Sequence, residues 1–208
     1  QRQLDWNAVP SRKEPGCRIE AVGEFFIMAP LDHEMPISVE IEELTEFREG
    51  DLENLCDATE AAILAGGGFG WLEPPSRDTL EAYWRGIMMI PQKHLFVGRL
   101  DGVIGGSLQL SRRPGNNEAQ ATVGTFTTNF VAPWARGHGI ATGLIVQAEA
   151  TAKELGLKVL TLDVRNTQEA AIKLYDNLGY KCWGVNSRYA FIDGEWVGGM
   201  YYNKDLTK

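Results

Sequence analysis

Val131-Ala-Pro-Trp-Ala-Arg136-Gly-His-Gly139-Ile-Ala141-Thr-Gly-Leu-Ile145 joins two unlike patterns. Before it, residues 119–130 are rich in Thr, Val and Phe and read as a strand. Pro133 cannot extend that strand, because it has no N–H to give a ladder. After it, Ala141, Leu144, Ile145, Ala148, Ala152 and Leu155 recur at helical spacing. The stretch is therefore a strand, a short glycine-containing turn and a helix. A turn with little side-chain bulk at a helix start leaves several N–H groups free. With the positive end of the helix dipole they form an anion site, suited to phosphate. Gly137, Gly139 and Gly143 would let a ligand come close to the backbone. The pattern is neither a dinucleotide fingerprint nor a Walker A loop, which would need Gly-Lys-Ser/Thr.

Working outward, the alternation of Ile37, Val39 and Ile41 predicts a half-buried strand. Leu52, Leu55, Cys56, Ala62 and Ile63, with Thr59 on the same face, predict a helix that stops at Gly66-Gly-Gly68. Asp78 with Glu81 three residues on marks a second helix start after Pro74-Pro75. Two apolar runs flank Asp101-Gly102, and two more flank Asp193-Gly194; each pair predicts a hairpin with a type I′ turn. Residues 158–164 predict a strand parallel to the first, since a crossover helix joins the two. Asn166 with Glu169 marks the last helix, closed by Gly179. The order is β-α-α-β-β-β-α-β-α-β-β, an α/β (α+β) fold with a mixed sheet and one parallel crossover near its middle.

Length and composition bound the function. The 208 residues, 44% of them hydrophobic, suit one domain (36–208) preceded by an irregular arm or extra strand (1–35). The net charge of −8 argues against nucleic-acid binding and fits a cationic partner or simple solubility. No run is long enough to span a membrane. Cys17, Cys56 and Cys182 are scattered, with neither metal spacing nor a disulfide framework. The expectation is a cytoplasmic protein with no metal, and no signal-peptide pattern opposes it.

Two segments resemble one family. Arg136-Gly-His-Gly139-Ile-Ala141 is similar to the pyrophosphate loop, Arg/Gln-x-x-Gly-x-Gly/Ala, of the GNAT acetyltransferases. The stretch from Asn166 through Ala170-Ala171, Tyr175 and Gly179-Tyr180 resembles that family's Asn-x-x-Ala-x-x-x-Tyr-x-x-x-Gly-Phe/Tyr, with part of it offset. The resemblance covers about residues 36–206, with a weaker likeness to the tabtoxin-resistance type.

It implies acetyl-CoA as cofactor and N-acetyl transfer to an amine by direct attack in a ternary complex. The acceptor would be a small molecule, or alternatively a protein amine. The cofactor would lie between two splayed strands, 119–132 and 158–164. Phe130 and Val131 would pair with the pantetheine arm, and a backbone N–H near Asn129 would hold the thioester oxygen. Arg136, Gly137, His138, Gly139, Ile140 and Ala141 would cradle the pyrophosphate. Asn166 would cap its helix or bind pantetheine, and Tyr175 would protonate the leaving thiolate.

The base departs from the family pattern. Thr125, Thr127, Thr128 and Asn129 stand where many members carry a Glu. Asp163, Glu118, Asp57 and Glu73 are the candidates that remain, with Asp163 preferred. Trp71 and Glu73, in the Gly-rich loop, would contact the acceptor. Tyr189, Tyr201 and Tyr202 read as sheet packing. The alternative, a non-catalytic acyl-CoA-binding or regulatory domain, rests on the missing Glu.

Overall fold

A computed structural model describes residues 37–67 and 69–208. The expected arm over residues 1–35, with Cys17, lies outside them. The elements run β1 (Val39–Leu44), α1 (Asp51–Leu64), α2 (Arg77–Met88), β2 (Lys93–Leu100), β3 (Val103–Arg112), β4 (Val123–Val131), α3 (Ile140–Glu154), β5 (Val159–Arg165), α4 (Glu169–Asn177), β6 (Lys181–Ile192) and β7 (Glu195–Asp205). This is the order the sequence predicts. The sheet order is β1-β2-β3-β4-β5-β7-β6, with only β4 and β5 parallel.

Local boundaries differ where a side chain or turn wins. Residues 118–120 form a short 3-10 turn, so the strand expected from 119 begins at Val123. α2 is capped by Ser76, whose hydroxyl accepts from Thr79 N at 3.4 Å, two residues before the expected Asp78. α4 begins at Glu169 after Gln168, so Asn166 is not its cap. Both hairpin turns keep their type I′ signature, with φ of 50° and 83° at Asp101-Gly102 and 51° and 83° at Asp193-Gly194.

Each face of the sheet carries a helical layer. Leu144, Ile145 and Ala148 of α3, with Tyr175 of α4, pack with Phe96, Leu108 and Leu160 on one side. Leu55 and Ala62 of α1, with Leu80 and Trp84 of α2, pack with Leu95, Val97 and Ile104 on the other. Burial on both faces explains the near-continuous apolar run of β2. Thr59 sits on the apolar stripe of α1 for a reason: its hydroxyl accepts from the buried Trp84 Nε1 at 3.2 Å and donates to Leu55 O at 2.6 Å. An ion network ties β1, α1 and β2, with buried Arg99 reaching both Asp51 oxygens at 2.7 and 3.0 Å and Glu42 at 2.7 Å.

The opening between β4 and β5 positions the site. Their pairing covers only Val123–Thr125 against Val159–Thr161, after which the strands diverge. At the same level β4 bulges, because Ser107 faces Phe130 while Gln109 faces Thr127. Thr128 occupies the bulge at φ 51°. For a β-branched residue that conformation costs about 1–2 kcal/mol. Bulges bend a strand and free its backbone groups.

Candidate active site

Two cavities meet at the splay. One, about 430 Å³, lies between the β4 bulge, the end of β5, α4 and the β6–β7 hairpin; Thr128, Asp163, Arg165, Tyr175 and Tyr189 line it. The other, about 270 Å³, lies beside the Arg136–Ala141 turn, with Val131, Gly67 and Leu174 in its wall. Asn129, Gln168 and Ala171 belong to both and mark the junction.

The turn behaves as an anion site should. Gly137 and Gly139 hold φ of 85° and 81°, which a Cβ would resist. Among the described residues, the N–H groups of residues 137–142 have no protein acceptor; the helix ladder resumes with Gly143 N to Gly139 O at 2.9 Å. Those free donors stand at the positive end of the 15-residue α3. Arg136 Nε donates to Val131 O at 3.1 Å, folding the turn back on β4. His138 is exposed, and Ile140 is core. Gly143 serves packing instead of ligand approach, since a Cβ there would meet Ile41 at 2.8 Å.

Backbone alternation separates the two residues expected to pair with pantetheine. Ala132 N donates to Gly105 O at 2.8 Å, so Phe130, two residues earlier and opposite Ser107, also directs its backbone at β3. Val131 faces the opening, as its carbonyl contact with Arg136 shows. Phe130 lines the second cavity, and its ring packs on Phe69, 4.9 Å between centroids.

Tyr175 is 5% exposed, and its hydroxyl accepts from Asn129 Nδ2 at 3.0 Å. Its own proton therefore remains available. Burial raises the phenol above its ordinary value; the Asn129 bond works the other way, and the Asp163 charge adds to the rise. Asn129 Oδ1 and Thr127 Oγ1 are buried with no partner among the described residues. Asp163 accepts a hydrogen bond from Tyr189 OH. Burial, then that bond, raises the Tyr189 phenol. Gly199 makes the arrangement fit, because the Tyr189 ring lies where a Cβ would stand. Tyr189, expected as sheet packing, thus lines the larger cavity, whereas Tyr202 is core.

Other residues expected at the site lie elsewhere. Trp71 lines neither cavity; its ring packs on Tyr83 at 5.2 Å and Phe69 at 6.2 Å. Glu73 is exposed and outside both. Phe69, Gly70 and Leu72 of the same loop line the first cavity. Asn166 lies in neither, its amide against Gly198. Asp57 is paired with Arg77 at 2.5 Å, and Glu118 sits on the exposed 3-10 turn. Gln168 was missed and Ala171 was left as one of two choices with Ala170, though a signal existed. Counting back seven and four residues from Tyr175 in the Asn-x-x-Ala-x-x-x-Tyr spacing lands on them. Gln168 Nε2 reaches Gly66 O at 2.8 Å, and Arg165 Nη2 reaches Phe69 O at 2.6 Å.

This geometry agrees with a comparison of whole sequences, in which the model of the Acetyltransferase (GNAT) family matches residues 55–180. The chain belongs to the GNAT acetyltransferase family. It is 55% identical, over 130 residues, to an uncharacterized N-acetyltransferase in the hisH-hisA intergenic region of Azospirillum brasilense; the match covers 62% of this chain and 77% of that one. Among solved structures, an N-acetyltransferase from Staphylococcus aureus Mu50 superposes with a TM-score of 0.70 at 21% identity, covering 81% of this chain and 99% of that one. A GNAT phosphinothricin acetyltransferase from Sinorhizobium meliloti, solved in complex with AcCoA, gives 0.68 at 19%, covering 81% and 88%. Among the described residues, no helix of this acetyltransferase is long and apolar enough to cross a membrane.

Proposed function

We propose that this acetyltransferase passes the acetyl group of acetyl-CoA to a primary amine by direct attack, with the cofactor in the smaller cavity and the amine in the larger. The observation that carries the reading is the junction, where Asn129, which lines both cavities, holds the Tyr175 hydroxyl with its proton available at the wall of the larger one. The free N–H groups of the turn and Arg136 fit the pyrophosphate, and Val131 fits the pantetheine amides as an added strand partner. An N–H at the bulge, near Asn129, would favour the developing oxyanion over the neutral carbonyl.

Asp163 takes the proton that the ammonium must lose before its nitrogen can attack. The C–N bond forms, the C–S bond breaks, the departing sulfur takes its proton from Tyr175, and the second proton that the new amide nitrogen sheds restores the phenol. No cysteine lines either cavity, so no covalent acyl-enzyme is invoked; Cys56 is buried in α1 and Cys182 is exposed on β6. A non-catalytic domain would have no use for a donor held at the junction.

The wall also speaks to the acceptor. Asp163 and Arg165 share one face of β5. They make no ion pair with each other, since Tyr189 holds one and the Phe69 carbonyl the other. A small acceptor carrying both an ammonium and a carboxylate would complement them. This assignment is tested by screening free L-amino acids, their carboxamides, spermidine and a peptide N-terminus with acetyl-CoA, reading free thiol. Turnover of amino acids over carboxamides is expected; thiol release with none of them would refute the acetyl-transfer reading for small amines. Asp163→Asn should lower kcat/KM at neutral pH, and the deficit should narrow as pH approaches the pKa of the amine. A deficit independent of pH would remove Asp163 as the base.

A further inference from the structure

A polar chain crosses the sheet behind the bulge, and the acetyl-transfer steps above make no use of it. Lys93 Nζ donates to Gln109 Oε1 at 2.8 Å, Gln109 Nε2 donates to Tyr83 OH at 3.0 Å, and Tyr83 OH lies 3.2 Å from Thr128 Oγ1. Gln109 is fully buried, so both of its ends need the partners they have. The ammonium end sets the direction of the chain. An ammonium has only donors, so Gln109 must turn its oxygen to Lys93 and its NH2 to Tyr83. Tyr83 then has one proton and, among the described residues, one remaining acceptor, Thr128. With Tyr83 as the donor in that 3.2 Å contact, the Thr128 hydroxyl keeps its own proton. That hydroxyl lies on the strained bulge and in the wall of the larger cavity.

We propose that Lys93 is a positioning residue which, through Gln109 and Tyr83, fixes the Thr128 hydroxyl as a hydrogen-bond donor to an oxygen of the acceptor molecule. Each bond polarises the next, so the ammonium makes Thr128 a better donor than an isolated hydroxyl. The carbonyl or carboxylate oxygen of the acceptor is the group Thr128 would meet. The inference rests on the acetyl-transfer reading for its substrate, but the chain itself can be tested without one.

Two measurements test it. In the first, the best free amino acid from the screen is the probe. Thr128→Val should raise the KM of that amino acid about tenfold, the size of one lost hydrogen bond to a charged group, and leave the KM of acetyl-CoA unchanged. Thr128→Ser should restore it. Lys93→Met should raise the same KM in the wild-type background and do nothing further in Thr128→Val. A rise in both KM values, or an equal Lys93→Met effect in both backgrounds, overturns the proposal. The second measurement compares urea midpoints for Lys93→Met, Thr128→Val and the double variant. One connected chain predicts non-additive shifts between residues that do not touch; additive shifts overturn it. Non-additive midpoints with no turnover of any amine would instead refute the acceptor role together with the acetyl-transfer reading, leaving the chain a brace for the bulge.

Discussion

Tyr175→Phe is the substitution whose outcome the structure constrains best. The ring is 5% exposed and packs on Tyr180 and Tyr202, with centroids 5.7 and 6.1 Å away, and phenylalanine keeps those contacts. What disappears is one oxygen. Asn129 Nδ2 loses its acceptor at 3.0 Å, a loss of about 1 kcal/mol, which in a domain of this size lowers Tm by roughly 2–4 °C. On the acid role proposed for Tyr175, the rate should fall far more. Positioned acid catalysis contributes about 10²–10⁴-fold, or roughly 3–5 kcal/mol of barrier. Because the proposed acid would act on the leaving thiolate and not on the bound thioester, the KM of acetyl-CoA should hold while kcat falls at least about 100-fold. The pH profile carries a second signature. Burial raises the Tyr175 phenol, so it stays protonated through neutral pH, and any alkaline limb due to it lies above the ordinary phenol value of about 10. The assay is steady-state thiol release from pH 6 to 9 with the best amine. A kcat within about threefold of wild type would refute the acid role.

Three further outcomes follow from the same contacts. Arg99→Met leaves buried Asp51 without its counter-charge and should destabilise the fold by about 3–5 kcal/mol, read as a fall in the urea midpoint at pH 7. Burial works against ionisation of Asp51 and Glu42, but hydrogen bonds and charge from Arg99 and Arg48 outweigh it and hold both carboxyls below their usual range. Their contribution is therefore complete above the unfolded values of about 4 and is lost as pH falls through the lower folded ones; Arg99→Met should flatten that acid dependence in urea titrations. Gly199→Ala pushes on the Tyr189 ring and should cost about 1–3 kcal/mol of stability while raising the acceptor KM, since Tyr189 leaves Asp163; unchanged kinetics would detach Tyr189 from the site.

The fold was legible because its signals are local and agree. Two Asp-Gly turns, a glycine-punctuated strand-to-helix step, a helical stripe and two helix-start pairs each name one element, and their order leaves few sheets to build. The anion turn was legible for the same reason, since positive φ and small bulk are written directly as Gly137 and Gly139. The acceptor side was not. Tyr189 and Asp163 are 26 residues apart and meet only because β7 inserts between β5 and β6. Trp71 looked like a ligand contact, but its ring completes a hydrophobic cluster, and its neighbours Gly70 and Leu72 face the cavity. The bulge at Thr128 carries no glycine to announce it, because its strain is held by tertiary hydrogen bonds instead of by residue type. Gln168 was hidden by the nearer Asn166, which matches the family's residue type but not its spacing to Tyr175.

The most direct test of the account is calorimetric titration of acetyl-CoA into the wild type and into an Arg136→Ala, Gly139→Asp double variant whose folding is verified by Tm. The free N–H groups at the head of α3 require tight binding to the wild type and a loss of at least about tenfold in the variant, where an added carboxylate faces the pyrophosphate. Equal affinity for the two folded proteins would contradict the placement of the cofactor at this turn.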